Sequence, residues 1–215
     1  MAVPFRLPRF YPILDTGWLA EHQISVITAT EALLQAGVKI LQYRHKEAWL
    51  QTHFDQAKRI AGLCHEAGVL FVMNDRADYA RLLGAALHIG QTDLPPVAAR
   101  RVVSDEVIGF STHDHLQLTR GNEEPVEYLS LGPIFPTESK LRPDPTVGVD
   151  GITTLRPLTS KPLVAIGGIT IENAADALAA GANSVAVISG LLSGGDGGRS
   201  IRRRAEEWIR VTKEV

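Results

Sequence analysis

Two cations and an amide alternate along one short segment, Gln42-Tyr43-Arg44-His45-Lys46. The apolar run before it is typical of a buried strand, and side chains two positions apart lie on the same side of an extended chain. Gln42, Arg44 and Lys46 are therefore predicted to face one region, where a diphosphate or a carboxylate would satisfy both positive charges. Solvation at the protein surface is the alternative for the two cations.

Two aspartates follow the next two apolar runs. Asp75 comes directly after Asn74, and Asp93 closes the segment 88–93, so each would stand at the end of a neighbouring strand. Magnesium prefers oxygen ligands, usually takes one or two protein carboxylates, and completes its coordination with water and substrate phosphates. We therefore expect Asp75 and Asp93 to hold Mg²⁺ as a cofactor. Capping of the following helix is the alternative for either aspartate alone.

Small and hydroxyl-bearing residues follow the later apolar runs, at 167–168 and 189–190 and at Ser111. Glycine lets a phosphate approach backbone N–H groups near a helix N-terminus, a common phosphate position after the last two strands of a barrel. Tight turns alone would also select glycine. The loop at 132–140 contains two prolines and ends in a lysine, Lys140, and it is either a phosphate-binding lid or an ordinary exposed loop.

The histidines and the single cysteine give weaker indications. His88 is predicted to be a hydrogen-bonded histidine at a strand end, whereas His113 and His115 leave a transition-metal site as an alternative. Cys64 falls inside a predicted helix and is expected to be a small buried side chain. The chain contains no nucleophile elbow, zinc-protease helix, P-loop or dinucleotide fingerprint. Cations, carboxylates and phosphate cradles suit a reaction in which charge develops on a leaving diphosphate.

Short apolar runs alternate with longer segments of helical periodicity along the chain, which is the pattern of repeated βα units around a parallel sheet. The sequence predicts eight strands, at 10–14, 39–43, 70–74, 86–89, 107–111, 128–131, 163–166 and 184–188. It also predicts helices at 30–36, 51–67, 77–83, 96–103, 115–120, 152–158, 171–180 and 200–213. Nearly continuous apolar strands indicate burial on both faces of the sheet.

Eight such units predict a single-domain (β/α)₈ TIM barrel over residues 1–215. A doubly wound open sheet is the alternative, but Asp15-Thr16-Gly17 after the first strand is not its glycine-rich phosphate fingerprint. In a barrel the active site lies at the C-terminal ends of the strands. The polar residues described above all follow predicted strands, so one site at that end is expected to contain them.

The composition of the chain limits the classes of molecule that it is expected to bind. The chain has 22 Lys and Arg against 24 Asp and Glu, a formal net charge of −2, which gives no electrostatic reason to expect a nucleic acid or an anionic membrane. Arg202, Arg203 and Arg204 stand beside Glu206 and Glu207, which is typical of a solvated helix face. One cysteine excludes an intramolecular disulfide, and no apolar run is long enough to span a membrane. We expect a cytoplasmic protein with small-molecule partners; its oligomeric state stays open.

Six motifs, taken in sequence order, resemble those of the thiamine phosphate synthase family. Each motif is short, but all six stand at predicted strand ends and together they cover nearly the whole chain. They are Gln42-x-Arg44-x-Lys46, Asn74-Asp75, His88-Ile89-Gly90-Gln91-x-Asp93, Gly109-Phe110-Ser111-Thr112-His113, Gly132-Pro133-Ile134-Phe135-Pro136-Thr137-x-Ser139-Lys140 and Ala165-Ile166-Gly167-Gly168-Ile169.

The resemblance implies a transferase that joins hydroxymethylpyrimidine diphosphate to a thiazole phosphate, or to its carboxylated form. Thiamine phosphate is made and diphosphate is released by a magnesium-assisted dissociative substitution. The metal ligands it implies are Asp75 and Asp93. The residues it implies at the pyrimidine diphosphate are Gln42, Arg44, Lys46, Asn74, Ser111 and Lys140, among which Arg44, Ser111 and Lys140 are predicted to be catalytic. The residues it implies at the thiazole phosphate are Thr137, Ser139, Gly168, Ile188 and Ser189.

Two other functions fit parts of the pattern. A thiazole tautomerase of similar fold resembles this chain in sequence but lacks the full set of cations and carboxylates formed here by Arg44, Lys46, Asp75, Asp93 and Lys140. A non-catalytic sensor would bind thiazole phosphate or thiamine phosphate without turnover. Formation of thiamine phosphate from the two substrates distinguishes the synthase from both.

Overall fold

The computed structural model describes residues 5–137, 145–191 and 197–213, in which strands and helices alternate as the sequence predicts. The strands are β1 (Phe10–Asp15), β2 (Ile40–Arg44), β3 (Leu70–Asn74), β4 (Ala86–Ile89), β5 (Ile108–Thr112), β6 (Tyr128–Leu131), β7 (Leu163–Ile166) and β8 (Ser184–Val187). The helices are α1 (Thr16–Glu21), α2 (Val26–Ala36), α3 (Gln51–Glu66), α4 (Ala77–Leu83), α5 (Pro96–Val102), α6 (His115–Glu123), α7 (Gly148–Leu155), α8 (Ala174–Ala179) and α9 (Gly197–Lys213). Short 3₁₀ helices cover Arg156–Leu158 and Ser189–Leu191.

The strands form a closed parallel barrel. Each strand pairs with its neighbour in sequence, and β8 pairs with β1 through Phe10 opposite Val185. The predicted (β/α)₈ fold is therefore confirmed, and the open-sheet alternative is wrong. Since all strands run the same way around the barrel, the segments that follow them meet at one mouth.

Alternate residues of each strand point into the barrel, and the others pack beneath the helices. In β1, Tyr11 and Ile13 lie in the interior cluster, whereas Phe10 and Leu14 lie in the outer core. The interior cluster consists of Tyr11, Ile13, Ile40, Val72, Ala86, Tyr128, Val164 and Ala186. Two positions further along the same rows come the polar or site-lining residues Gln42, Asn74, His88, Ser130 and Ile188. Because side chains alternate with a period of two, the rows of interior residues continue into the mouth of the barrel.

Strand β5 contributes a glycine to the barrel interior, and a tyrosine ring from β6 occupies the space. A Cβ on Gly109 would lie 2.0 Å from Cζ of Tyr128. Gly109 pairs in register with Tyr128 on one side and with His88 of β4 on the other. The missing side chain therefore lets the Tyr128 ring pass over β5 towards His88, and the two ring centroids lie 5.5 Å apart.

We expect Gly109→Ala to lower the free energy of unfolding by about 1–3 kcal/mol, because the fully buried Tyr128 ring must move to admit a methyl group. Gly62→Ala in α3 is the matched control, since no atom lies within 4 Å of its added Cβ. A helix-interior alanine there should raise stability by about 0.4–1 kcal/mol. Urea unfolding of both variants measures the difference, and equal effects would contradict the crowding at Gly109.

The last helix anchors the segment after β8. The Trp208 ring stacks on Phe10 of β1 with centroids 5.5 Å apart, and its Nε1 donates to the Gly190 carbonyl oxygen at 3.2 Å. On the opposite face of α9, Arg202 pairs with Glu206, as expected of a solvated helix face. Within the described ranges, none of the helices has the length and apolar character that a membrane crossing requires.

Helix boundaries differ from the prediction at several points. The sequence analysis missed α1, which begins at Thr16 because the Asp15 carboxylate caps it by accepting from Trp18 N at 2.9 Å. Helix α2 begins four residues early, after the Ser25 cap. Helix α8 begins at Ala174 instead of 171, because the Asn173 side chain accepts from Thr170 N and donates to Gly168 O, which holds a turn.

Candidate active site

A cavity of about 380 Å³ lies at the C-terminal mouth of the barrel. Residues from all eight βα units contribute to it, so it exists only in the closed barrel. Every predicted site residue within the described ranges lines it, namely Gln42, Arg44, Lys46, Asn74, Asp75, Asp93, Ser111, Thr137, Gly168, Ile188 and Ser189. The other two, Ser139 and Lys140, lie outside the described residues.

The end of β2 directs its three polar side chains as the alternation predicted. Gln42 is buried, and its Nε2 donates to the Tyr11 hydroxyl at 2.9 Å. The Arg44 guanidinium donates to the carboxylate of Asp15, which lies opposite it at the end of β1. Because the same carboxylate caps α1 through its other oxygen, the guanidinium is tied to the backbone of the neighbouring strand. Asp15 is a site residue that the sequence analysis missed.

Lys46, which follows β2, lies beside Asp75, which follows the neighbouring strand β3. Its Nζ donates to Asp75 Oδ2 at 2.5 Å, and the Asp75 carboxyl group also contacts the Asp93 carboxyl group. Burial and the neighbouring Asp93 raise the pKa of Asp75 to about 6, although Lys46 acts in the opposite direction. Two carboxylates and an ammonium group are therefore concentrated at the ends of β3 and β4.

Neither aspartate is the N-cap of the helix that follows it. The N-caps of α4 and α5 are Arg76 and Pro95. Asp75 adopts the left-handed backbone conformation with φ of 65°, which directs the chain sharply away from β3. Asp93 Oδ2 accepts from Gly90 N at 2.7 Å, which closes a tight turn after β4. Helix capping therefore does not account for the two residues.

Asn74 has a buried polar atom without a partner. Its side chain is only 5% exposed and lines the cavity, and its Nδ2 finds no hydrogen-bond acceptor. Among the described residues, Asn74 Nδ2 is the only buried side-chain nitrogen or oxygen atom without a hydrogen-bond partner. A buried unpaired donor costs about 1–3 kcal/mol, and an acceptor entering the cavity would recover that cost.

A hydrogen-bonded network lies on the floor of the cavity. The Tyr11 and Tyr128 hydroxyls are 2.8 Å apart, His88 Nδ1 lies 3.0 Å from the Tyr128 hydroxyl, and His88 Nε2 lies 2.9 Å from Ser111 Oγ. Burial lowers the pKa of His88 to about 4 and raises the pKa of Tyr11 and Tyr128 above the ordinary range. All three rings are therefore uncharged at neutral pH.

The glycines after β7 allow two loops to pack together. Gly167 and Gly168 have φ of 94° and 63°, and a Cβ on Gly168 would lie 2.5 Å from the Pro136 carbonyl oxygen. The left-handed backbone and the close approach of the β6 loop both require glycine here. Gly168 lies before the start of α8, and Thr137, Ile188 and Ser189 line the same side of the cavity.

The remaining candidates do not add a reactive group. Cys64 is buried in α3, where burial raises the pKa of its thiol to about 12. His113 Nδ1 lies 2.5 Å from the Gly132 carbonyl oxygen. No group of three or more His, Cys, Asp or Glu side chains suitable for a metal occurs within residues 5–137, 145–191 and 197–213. The cavity thus offers binding and charge compensation.

A family model for thiamine monophosphate synthase matches residues 10–191, which span the barrel from β1 to the segment after β8. The chain belongs to this family. The thiamine-phosphate synthase of Koribacter versatilis is 42% identical over 98% of this chain and 99% of its own length, and that of Chloroflexus aurantiacus is 33% identical over 96% and 94%. The thiamine phosphate pyrophosphorylase structure from Pyrococcus furiosus has a TM-score of 0.83 at 28% identity and covers 96% of each chain.

The sequence analysis missed several lining or supporting residues of this thiamine monophosphate synthase family member, among them Tyr11, Asp15, Tyr128 and Ser130. Tyr11 and Tyr128 fall within the predicted strands 10–14 and 128–131, whose apolar pattern indicates burial and gives no sign of a polar role. The available signal for Tyr128 was the alternation along its strand, since it lies two positions before the polar Ser130 on the interior row. Register between strands was needed to bring them together.

Proposed function

We propose that the chain is a thiamine phosphate synthase that joins hydroxymethylpyrimidine diphosphate to a thiazole phosphate and releases diphosphate. The main support is that the cations, carboxylates and amides predicted from separate strands line one cavity. Family membership and relatives with this activity over the full length of the chain support the same reaction. The proposal includes the predicted small-molecule partners and cytoplasmic location.

We assign the diphosphate to the side of the cavity formed by β2 and β3. Arg44 and Lys46 supply two positive charges there, and the buried Asn74 Nδ2 lacks an acceptor that a phosphate or pyrimidine would provide. Gln42 and Ser111 line the adjoining floor. Lys140 completes this set as a prediction from the resemblance alone, because it lies outside the described residues.

Asp75 and Asp93 fit a magnesium ion. Their carboxyl groups contact each other, and burial followed by the neighbouring Asp93 raises the pKa of Asp75, so a cation bound there would relieve both the lost solvation and the mutual repulsion. Two carboxylates are the usual protein contribution to a magnesium site that also takes substrate phosphates. When bound there, the ion would neutralise charge on the leaving diphosphate.

We assign the thiazole phosphate to the opposite side, at Thr137, Gly168, Ile188 and Ser189, with Ser139 added by the resemblance. This side carries backbone amides and hydroxyls instead of a dense set of charges. The two substrates would then approach each other across the barrel axis. Such a placement brings the thiazole nitrogen towards the pyrimidine methylene carbon.

The residues fit a dissociative substitution. The bond between the methylene carbon and the diphosphate oxygen breaks first, its electrons leave with the diphosphate, and the thiazole nitrogen then forms the new C–N bond. That nitrogen has no proton to lose, so no general base is needed. The buried His88 with a pKa of about 4 and the buried Cys64 agree with this role of the chain, which is to bind, orient and exclude water.

An assay with both substrates tests the proposal. We expect diphosphate and thiamine phosphate to form in equal amounts, only when both substrates are present and faster with added Mg²⁺. A chelator should reverse the effect of the metal. Folded protein that binds thiazole phosphate without turnover would instead indicate the sensor, and conversion of the carboxylated thiazole alone would indicate the tautomerase.

A further inference from the structure

The polar network on the cavity floor has more members than the proposed substrate contacts require. It runs from Gln42 through the hydroxyls of Tyr11 and Tyr128 to His88 and then to Ser111. These residues belong to five different strands. The two tyrosines are at most 1% exposed, so their hydroxyls exchange no hydrogen bonds with bulk water. The network is therefore a continuous series of donors and acceptors that borders the cavity and ends at Ser111.

The direction of these hydrogen bonds follows from the first donor. Gln42 Nε2 donates to the Tyr11 oxygen, and the Tyr128 oxygen at 2.8 Å is the acceptor for the Tyr11 hydrogen, since the opposite direction would leave that buried hydrogen unpaired. The Tyr128 hydrogen is then available for His88 Nδ1 at 3.0 Å. A neutral imidazole that accepts at Nδ1 carries its proton on Nε2.

The last donor of the network, His88 Nε2, donates a hydrogen bond to Ser111. His88 Nε2 lies 2.9 Å from Ser111 Oγ, and the Ser130 hydroxyl also donates to that oxygen at 3.3 Å. Both lone pairs of Ser111 Oγ are then occupied. Its own hydrogen is left for an acceptor inside the cavity, which Ser111 lines.

We propose that Tyr128, with Tyr11 behind it, is a positioning residue that holds His88 as the Nε2–H tautomer and thereby keeps the Ser111 hydroxyl as a hydrogen donor towards the substrate. Gly109 makes this contact feasible, because a residue of β6 reaches a residue of β4 only where β5 has no side chain. The inference about the tautomer concerns the free protein; its consequence for turnover rests on the proposed function.

The test is ¹⁵N NMR of the histidine rings at neutral pH in the absence of substrates. The chain has seven histidines, and loss of one signal pair in His88→Gln assigns the ring. We expect the wild type to show a protonated Nε2 and an unprotonated Nδ1 at His88. Tyr128→Phe should produce a mixture of both tautomers, since Nδ1 then has no donor. A wild-type ring protonated on Nδ1, or an unchanged ring in Tyr128→Phe, would overturn the proposal.

Tyr43→Phe is the matched control. Its hydroxyl is also buried but donates to Gln56 at 2.8 Å, outside the network, so His88 should keep its wild-type signals. Should Tyr128→Phe fail to fold, Tyr11→Phe replaces it: the variant keeps the Tyr128 ring, removes the hydroxyl that sets the direction, and should also yield both tautomers. His88 signals unchanged in Tyr11→Phe would contradict the proposal.

Turnover provides a separate reading. Tyr128→Phe should lower kcat/KM for the pyrimidine diphosphate by about two- to fivefold, because Ser111 then donates in only part of the molecules. Tyr43→Phe should leave kcat/KM near the wild-type value. If the wild type itself makes no thiamine phosphate, the proposed function fails, while the NMR result still decides the tautomer. If the wild type is active and Tyr128→Phe matches it, the positioning role is wrong.

Discussion

Asp93→Asn is expected to reduce magnesium-dependent turnover by roughly 100-fold, because it removes one of the two negative charges assigned to the metal. The asparagine oxygen can still accept from Gly90 N, the 2.7 Å hydrogen bond that closes the turn, so the barrel should fold normally. The variant should need more Mg²⁺ for half-maximal rate and should show weaker magnesium binding by calorimetry. Asp55→Asn, an exposed carboxylate on α3, is the matched control and should behave like the wild type.

The pH dependence of magnesium binding checks the same pair of carboxylates. Burial and Asp93 raise the pKa of Asp75 to about 6, so a proton occupies the pair in a growing fraction of molecules as the pH falls through 6. Protons and Mg²⁺ then compete, and the apparent affinity for Mg²⁺ should decrease below pH 6.

Full activity of Asp93→Asn with unchanged magnesium dependence would remove Asp93 from the metal site.

Arg44→Ala is expected to lower kcat/KM for the pyrimidine diphosphate by about 100-fold, because a charge-assisted hydrogen bond to the diphosphate is lost. The effect should appear mainly as a higher KM for that substrate. Arg59→Ala is the matched control: Arg59 is 64% exposed on α3 and makes only a distant contact with Glu31 at 3.9 Å, so its removal should change neither activity nor stability measurably.

A second substitution, at Asp15, distinguishes the effect of Arg44→Ala on substrate binding from its effect on stability. Arg44→Ala leaves the Asp15 carboxylate, which is only 13% exposed, without its partner, and this should cost about 1–3 kcal/mol of stability. Adding Asp15→Asn should recover much of that stability without restoring kcat/KM, since the cation is still absent. Recovery of activity in the double variant would contradict a direct contact between Arg44 and the substrate.

The single variant Asp15→Asn tests whether the Asp15 carboxylate positions the Arg44 guanidinium. The amide keeps an oxygen to cap α1 at Trp18 N but no longer accepts from the guanidinium. If Asp15 acts only through Arg44, it should have no further effect on activity in the Arg44→Ala background, because residues that share one interaction are not additive.

Local pattern was sufficient for the sequence to predict most of the barrel. Apolar runs of four or five residues bounded by turn signals predicted every strand to within one residue at either end, and the left-handed C-cap glycines Gly37 and Gly84 end helices where expected. Two of the boundaries that were wrong depend on side-chain contacts. Helix α1 needs the Asp15 cap, and the delayed start of α8 needs the two hydrogen bonds of Asn173.

The sequence by itself also determined which residue types stand after each strand, and hence the kind of ligand the mouth can bind. Alternation along β2 was enough to place Gln42, Arg44 and Lys46 on one side, because the period of two is a property of the extended chain. The resemblance to the family, drawn from six short motifs, is confirmed by the family model.

Only the tertiary structure decided which of these groups touch. Strand register places Arg44 against Asp15, 29 positions away in sequence, and lays the Tyr128 ring over Gly109 to reach His88. Such contacts depend on closure of the sheet, which brings distant segments within a few ångströms and buries their polar atoms together. Burial and mutual contact, which raise the pKa of Asp75 and leave Asn74 Nδ2 unpaired, arise from that closure and have no counterpart in the linear spacing of the residues.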